Sequence, residues 1–441
     1  MKKGFAVYAG AALLIVLVLS GCGSGKGASN AQVEASPSVK TIKLSLRHTQ
    51  IKETSKVRLR IFQDVVAKTE RENPGLHFEL EGIDEVVNRD QKLKGEMAVG
   101  NPPDIFEVFG GADLHLYVKA NRMLDLTPIL KELGITSKFS SLDEFTVDGR
   151  VYGLPFGGYS EGIFYNKKIF ADLGLSIPTT WKELIETADT LKAKGLTPFA
   201  LAAKDPWAAG MMWNTIMERN VGIGGFEKLL TGEARWTDPD FVRGFEDYAQ
   251  LVNNDYFTNG SLGLPYAEQS TRFLKGEAAM IFTGTWDVNR FTGAEAGGLD
   301  GSIGYFAFPA VEGGKGDQTS INASYSNGFG FSANLSNGQK EMVKAFIKNF
   351  YTEEVQKRTL LEDKLLPSMK LSDLSGVDPL ISEVLKAMVN ASSSWRAFDA
   401  ILQPGVSADI GVCLQELIGQ VKSPEEVAQQ LQTAQDKANH P

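Results

Sequence analysis

Apolar and polar residues alternate over 41–47, where Ile42, Leu44 and Leu46 oppose Lys43, Ser45 and Arg47, which is the period of a strand. Val57, Ile61, Phe62, Val65 and Val66 then recur at helical spacing until Asn73-Pro74-Gly75 stops the helix. Leu76, Phe78 and Leu80 alternate again, a second helical stretch runs from about Val86 to Val99, and Asp104 to Phe109 is a short apolar strand. Strand, helix, strand, helix, strand is a βαβαβ unit, so an α/β lobe with a largely parallel sheet is expected. Ligands meet such sheets beyond the carboxyl ends of the strands, which directs attention to His48 and Gln50 after the first strand and to Asp113 after the third. Asp113 is equally suited to cap a helix beginning at Leu114.

The pattern changes at Gly153 to Phe170, GLPFGGYSEGIFYNKKIF. Pro155 fixes φ and removes a donor, while Gly153, Gly157 and Gly158 give the chain freedom to bend. The segment reads as a crossing from one lobe to another, with Tyr159 and Ser160 facing the space between, followed by a buried strand that enters a helix at Asn166. Gly158-Tyr159-Ser160-Glu161-Gly162 also has the G-x-S-x-G form of a nucleophile elbow, but the one histidine downstream is His440, beside the C-terminus, so the required order of acid and base is missing.

Downstream, Thr180-Trp181-Lys182-Glu183 is a capping box. Thr197 to Ala203 is strand-like and runs into Asp205-Pro206-Trp207. Phe273 to Trp286 gives a helix end at Gly276, a buried strand Ala279 to Phe282, and a tight exit at Gly284-Thr285-Trp286 that leaves an aromatic at the strand's carboxyl end. Strands are expected over 302–309 and 324–332, a helix over 341–351, and a capped terminal helix from Ser423. Trp181, Trp213 and Trp236 read as core.

A chain of 441 residues exceeds what one core serves, and 43% hydrophobic with 22% charged residues is ordinary globular composition. The start decides the compartment. Met1-Lys2-Lys3, an apolar stretch from Phe5 to Leu19 and Leu19-Ser20-Gly21-Cys22 resemble a bacterial lipoprotein signal, in which Cys22 takes lipid and becomes the mature N-terminus. Cleavage would take the net charge from −9 to −11 with the loss of Lys2 and Lys3, and no basic cluster suggests nucleic acid. Cys413 is then alone and reads as a small buried hydrophobe. Residues 22–39 form a Gly/Ala/Ser tether with a reach on the order of 20 to 25 Å. No motif for a metal or cofactor is present, and none is expected.

Taken together, Gly100-Asn101-Pro102-Pro103-Asp104-Ile105, Gly153-Leu154-Pro155-Phe156, Phe164-Tyr165-Asn166-Lys167, Pro178-Thr179-Thr180-Trp181, Gly276-Glu277-Ala278-Ala279-Met280 with Gly284-Thr285-Trp286, and Leu366-Pro367 resemble the extracellular solute-binding proteins of carbohydrate ABC transporters, the maltose-binding-protein-like group. The resemblance covers nearly the whole mature chain. It implies an α/β, two-lobe, type II periplasmic-binding fold with three crossings, near residues 156–160, 303–309 and 350–356. The expected division is signal peptide 1–21, tether 22–39, N-terminal lobe 40–156 with 308–352, and C-terminal lobe 157–307 with 353–441. The implied function is a non-catalytic, lipid-anchored, monomeric binder at the outer face of the cell membrane, closing on a sugar and delivering it to a permease. Tyr159, Asp113, Asp205, Trp207 and Trp286 match cleft positions of the family, and Trp395 matches more loosely.

Sugars present C–H faces that stack on rings and hydroxyls that need polar partners, which suits Trp207, Trp286, Asp113 and Asp205, with Asn322 and Tyr325 as further candidates. The alternatives are a different solute such as a polyol or uronate, a sensor subunit using the same trap, and a secreted glycosidase, which barrel periodicity does not support.

Overall fold

The computed structural model describes residues 41–440 apart from 53 and 54, so the signal peptide, the tether and Cys22 lie outside the described residues. The expected βαβαβ unit is present as strand Ile42–His48, helix Lys56–Glu72, strand Leu76–Gly82, a helical stretch from Glu85 to Val99, and strand Ile105–Phe109. Asp84 caps the second helix by accepting from the Val86 and Val87 amides, and Gly100 ends it at a φ of 78° that a side chain would resist. Asn88–Lys92 within it is a π-helical turn.

The first sheet runs in the order Leu76–Gly82, Ile42–His48, Ile105–Phe109, Asn327–Phe331, Gly153–Pro155. The first three strands are parallel, and Asn327–Phe331 lies antiparallel to both its neighbours, Ile105–Phe109 and Gly153–Pro155. Its faces bury Leu44, Leu46, Phe62, Ile105, Phe329 and Phe346 on one side and Phe106, Val108, Leu114 and Phe145 on the other.

The second sheet is built on Tyr159–Asn166. Ala278–Gly284 pairs along one edge, with Thr197–Ala200 beyond it. The other edge is shared by Ile303–Phe306 and Ile321–Ser324, and Ser394–Trp395 flanks the latter. Ile163, Phe199, Met280, Phe282, Trp213 and Trp236 fill one face, and Phe164, Ile281, Phe291 and Ile381 fill the other. Trp181 is core as well, with its indole N–H donated to Gln250, and the capping boxes at Thr180 and Ser423 both close.

The first crossing falls where expected, between Pro155 and Tyr159. The second does not. Ile303–Phe306 stays in the second sheet, and the passage occurs at Tyr325-Ser326, between Ile321–Ser324 in one sheet and Asn327–Phe331 in the other. Residues 308–324 therefore pack with the second lobe, where Phe308 and Val311 join its core, and the strand expected over 324–332 is two strands on either side of a crossing. The third passage lies later than 350–356. Tyr351 and Val355 still sit in the first core, Leu360 in the second, Leu365 and Met369 again in the first, and Leu380 in the second. Ser160 lies inside a strand with no exposed surface, which removes the strand–turn–helix setting a nucleophile elbow needs.

Candidate functional site

Strand register builds the site. Tyr159 and Glu161 are two residues apart and share a face of the second sheet, and Glu161 pairs with Gly284 on the neighbouring strand. The Trp286 ring folds back over Gly284, where a Cβ would come within 2.2 Å of the ring, so only glycine lets the indole lie there. Tyr159 meets that indole edge-on with centroids 5.3 Å apart. The indole N–H donates to the Tyr266 oxygen at 2.6 Å, and the Tyr266 hydroxyl donates to Asp287 at 2.5 Å. Tyr266 in turn lies 4.4 Å from the Trp207 ring, which is 37% exposed. Asp205 accepts from the Tyr266 backbone amide at 2.9 Å and so anchors the loop that carries this ring. Tyr159, Trp286, Tyr266 and Trp207 thus form a continuous aromatic run at the crossing end of the sheet.

On the other side of Glu161, the Asn322 amide donates to its carboxyl at 2.9 Å, and Asn322 pairs in register with Trp395. Glu144 reaches this region from the first lobe. It is 4% exposed, with one carboxyl oxygen buried and unpartnered. Burial pushes its pKa up to about 7, opposed by the charge of Arg396. Burial likewise pushes Glu161 up to about 8, aided by Asp399 and opposed by the Asn322 hydrogen bond. Between about pH 4.5 and 8 both groups hold protons in the folded chain that the unfolded chain has already released, so their contribution to stability is present at the acid end and lost as pH rises through that window. The unfolding midpoint should fall from pH 5 to pH 8, and Glu161→Gln should flatten the slope; an unchanged slope in the variant would show that Glu161 ionises freely.

The remaining expected residues divide. Tyr325 lies in the second crossing with its ring against Gly158, which has no room for a side chain. Asp113 is in the first turn of helix Ala112–Lys119, which is preceded by Gly111 at φ 68°, so Asp113 is not the cap. Its carboxylate instead accepts from Arg89 Nε at 2.8 Å, and Arg89 Nη1 donates to Asp399 of the second lobe at 2.9 Å. The two lobes touch beside this bridge, since a Cβ on Gly111 would lie 2.4 Å from the Ala400 carbonyl. His48 and Gln50 are not brought to the aromatic run. His48 is 6% exposed against Phe62, and its pKa is lowered by burial. The Gln50 amide is taken up by both oxygens of buried Glu107.

Sequence reasoning missed Glu161, Glu144, Tyr266, Arg89 and Asp399. Glu161 was within reach, because strand period alone places it beside Tyr159. Asp399 and Arg89 are 310 positions apart, and nothing local links them.

Two α/β lobes joined by crossings, with aromatic and polar side chains meeting at the junction, define a type II solute-binding fold. A family model described as "Bacterial extracellular solute-binding protein" matches residues 54–357, and the chain belongs to that family. A solved structure titled "Chitin oligosaccharide binding protein" is similar at 47% identity and a TM-score of 0.86, covering 90% of this chain and 99% of that one. An uncharacterised ABC transporter extracellular-binding protein of Pyrococcus horikoshii is 27% identical over 68% of this chain and 68% of its own length. A "Multiple sugar-binding protein" of Streptococcus mutans is 24% identical over 57% of this chain and 60% of its own. These relatives are binding proteins rather than enzymes. Among the described residues no helix is long and apolar enough to cross a membrane.

Proposed function

We propose that the chain is the extracellular capture subunit of an ABC importer, binding a sugar or oligosaccharide between its lobes and presenting it, chemically unchanged, to membrane permease subunits. The observation that carries this is the aromatic run Tyr159–Trp286–Tyr266–Trp207 beside the Glu161–Asn322 pair, because pyranose rings are recognised by stacked aromatics together with hydrogen-bonding groups at their rims. The relatives named for sugar and chitin-oligosaccharide binding support the same class. An anionic solute fits less well. Asp399 lies near Tyr159, and Arg89 is already held by two carboxylates. Closure follows from a ligand touching both lobes, since only a ligand that favours the closed form shifts the equilibrium.

The test is a thermal-shift screen of the soluble form, begun after Cys22, against mono- and oligosaccharides, uronates and polyols. A sugar at about a hundredfold over its dissociation constant should add ~2.7 kcal/mol and raise the midpoint. A sugar consumed on long incubation would make the protein an enzyme, and a response to uronates or polyols alone would move the solute class. We also assign the membrane attachment to lipid on Cys22, on the Leu19-Ser20-Gly21-Cys22 pattern. Labelled palmitate should enter the wild type and not Cys22→Ser; equal labelling of both would discard the anchor.

A further inference from the structure

Cross-strand partners put four groups in one row on one face of the second sheet: the Trp286 ring over Gly284, then Glu161, Asn322 and Trp395. Glu161 is 8% exposed, Asn322 2% and Trp395 4%. Asn322 uses its Nδ2 on Glu161 and leaves Oδ1 buried without a partner, and the Trp395 Nε1–H is buried without a partner too. An acceptor and a donor stand on directly paired residues and do not bond each other. Buried polar groups of native proteins are nearly always satisfied, so this pair calls for a third group that both donates and accepts.

Resting on the reading of a sugar receptor given above, we infer that Asn322 and Trp395 form a subsite for the acetamido group of an N-acetylated amino sugar, with Trp395 Nε1–H donating to its carbonyl and Asn322 Oδ1 accepting from its N–H. A planar secondary amide carries one acceptor and one donor, the two functions this pair lacks. The surroundings fit the rest of the group. The row is dry, which favours an acetyl methyl over a bare hydroxyl, and the Trp286 ring lies two strands from Asn322 and three from Trp395, placed to stack on the sugar that bears it. A free amine would need a fixed negative charge, but Asp399 is already paired with Arg89, and burial and Asp399 push Glu161 up to about 8, toward its uncharged form.

The experiment is calorimetric titration of the soluble protein with diacetylchitobiose, the glucosamine dimer and cellobiose. Wild type should bind diacetylchitobiose at least tenfold more tightly than the other two. Trp395→Phe keeps an aromatic ring and deletes the N–H, while Asn322→Leu keeps the volume and deletes the acceptor together with the donor to Glu161. Each should weaken diacetylchitobiose about tenfold at a folded-state melting midpoint and reduce the preference for acetylated over unacetylated sugar. A wild-type protein that ranks the three sugars equally, or variants that bind diacetylchitobiose within twofold of wild type, would overturn the subsite and leave the sugar-receptor reading standing. Silence toward every sugar, in this assay and in the broader screen, would remove that reading itself.

Discussion

Trp286→Ala should weaken ligand binding by roughly thirtyfold or more while the protein stays folded. The indole is the centre of the aromatic run: it touches Tyr159 on one side, hydrogen-bonds Tyr266 on the other, and covers Gly284 in the strand beneath. Removing it takes away a stacking platform and also releases the Tyr266 ring that Trp207 rests on. Anchoring aromatics at the centre of a recognition site cost about 2 kcal/mol or more on truncation, which is roughly thirtyfold in affinity. The core beneath rests on Phe199, Met280, Phe282 and Trp213, and Trp286 packs against this cluster only as a partly buried neighbour, so the unfolding midpoint should drop by only a few degrees. Titration with the sugar that responds in the screen, alongside a melting curve, checks both halves. Wild-type affinity in a folded Trp286→Ala protein would take the indole out of the site and with it the basis for placing the ligand at this edge of the sheet.

Much of this architecture is legible in the chain because period and punctuation agree. The first lobe alternates Ile42, Leu44 and Leu46, turns at Asn73-Pro74-Gly75 and alternates again, so each local choice points to the same βαβαβ unit. The crossing at Pro155 and the exit at Gly284-Thr285-Trp286 are marked by residues whose backbone or side chain has few other uses. The second crossing carries no such mark. Tyr325-Ser326 sits between two apolar strands with no proline and with glycine only further on, so the chain changes sheets inside what reads as one strand. The aromatic run of the candidate site is legible where it depends on strand ends, and the contacts that depend on pairing between distant segments are not. His48 and Gln50 follow a strand end as expected, yet Glu107 on the adjacent strand claims the Gln50 amide, a contact that only the sheet order reveals.

Arg89→Met should weaken the binding of every ligand by about the same factor without changing their ranking. Arg89 lies over the Phe109 ring at 4.0 Å and is tied to Asp113 within its own lobe, so its position is set before the lobes meet. Asp399 is delivered by the second lobe, from the turn whose next residue, Ala400, abuts Gly111. Burial works against the guanidinium charge, and Asp399 and Asp113 outweigh it, so the pKa is raised and the charge persists at any working pH. One half of the bridge therefore exists in either state, and the other half forms only when the lobes touch. An interaction present in the closed state alone shifts the opening equilibrium, and apparent affinity changes by the fraction of closed-competent protein. With Arg89 24% and Asp399 31% exposed, solvent screening brings the full buried-pair penalty down to about 1–2 kcal/mol, or roughly tenfold in affinity. Asp399→Asn should reproduce most of that loss, and the double variant should lose little more than either single one, because both remove the same contact. Titration of the three proteins with two different sugars measures this, and scattering gives the matching expansion of the ligand-bound form. A change in sugar ranking in Arg89→Met would place the guanidinium on the ligand instead, and additive losses in the double variant would mean that the two residues act apart.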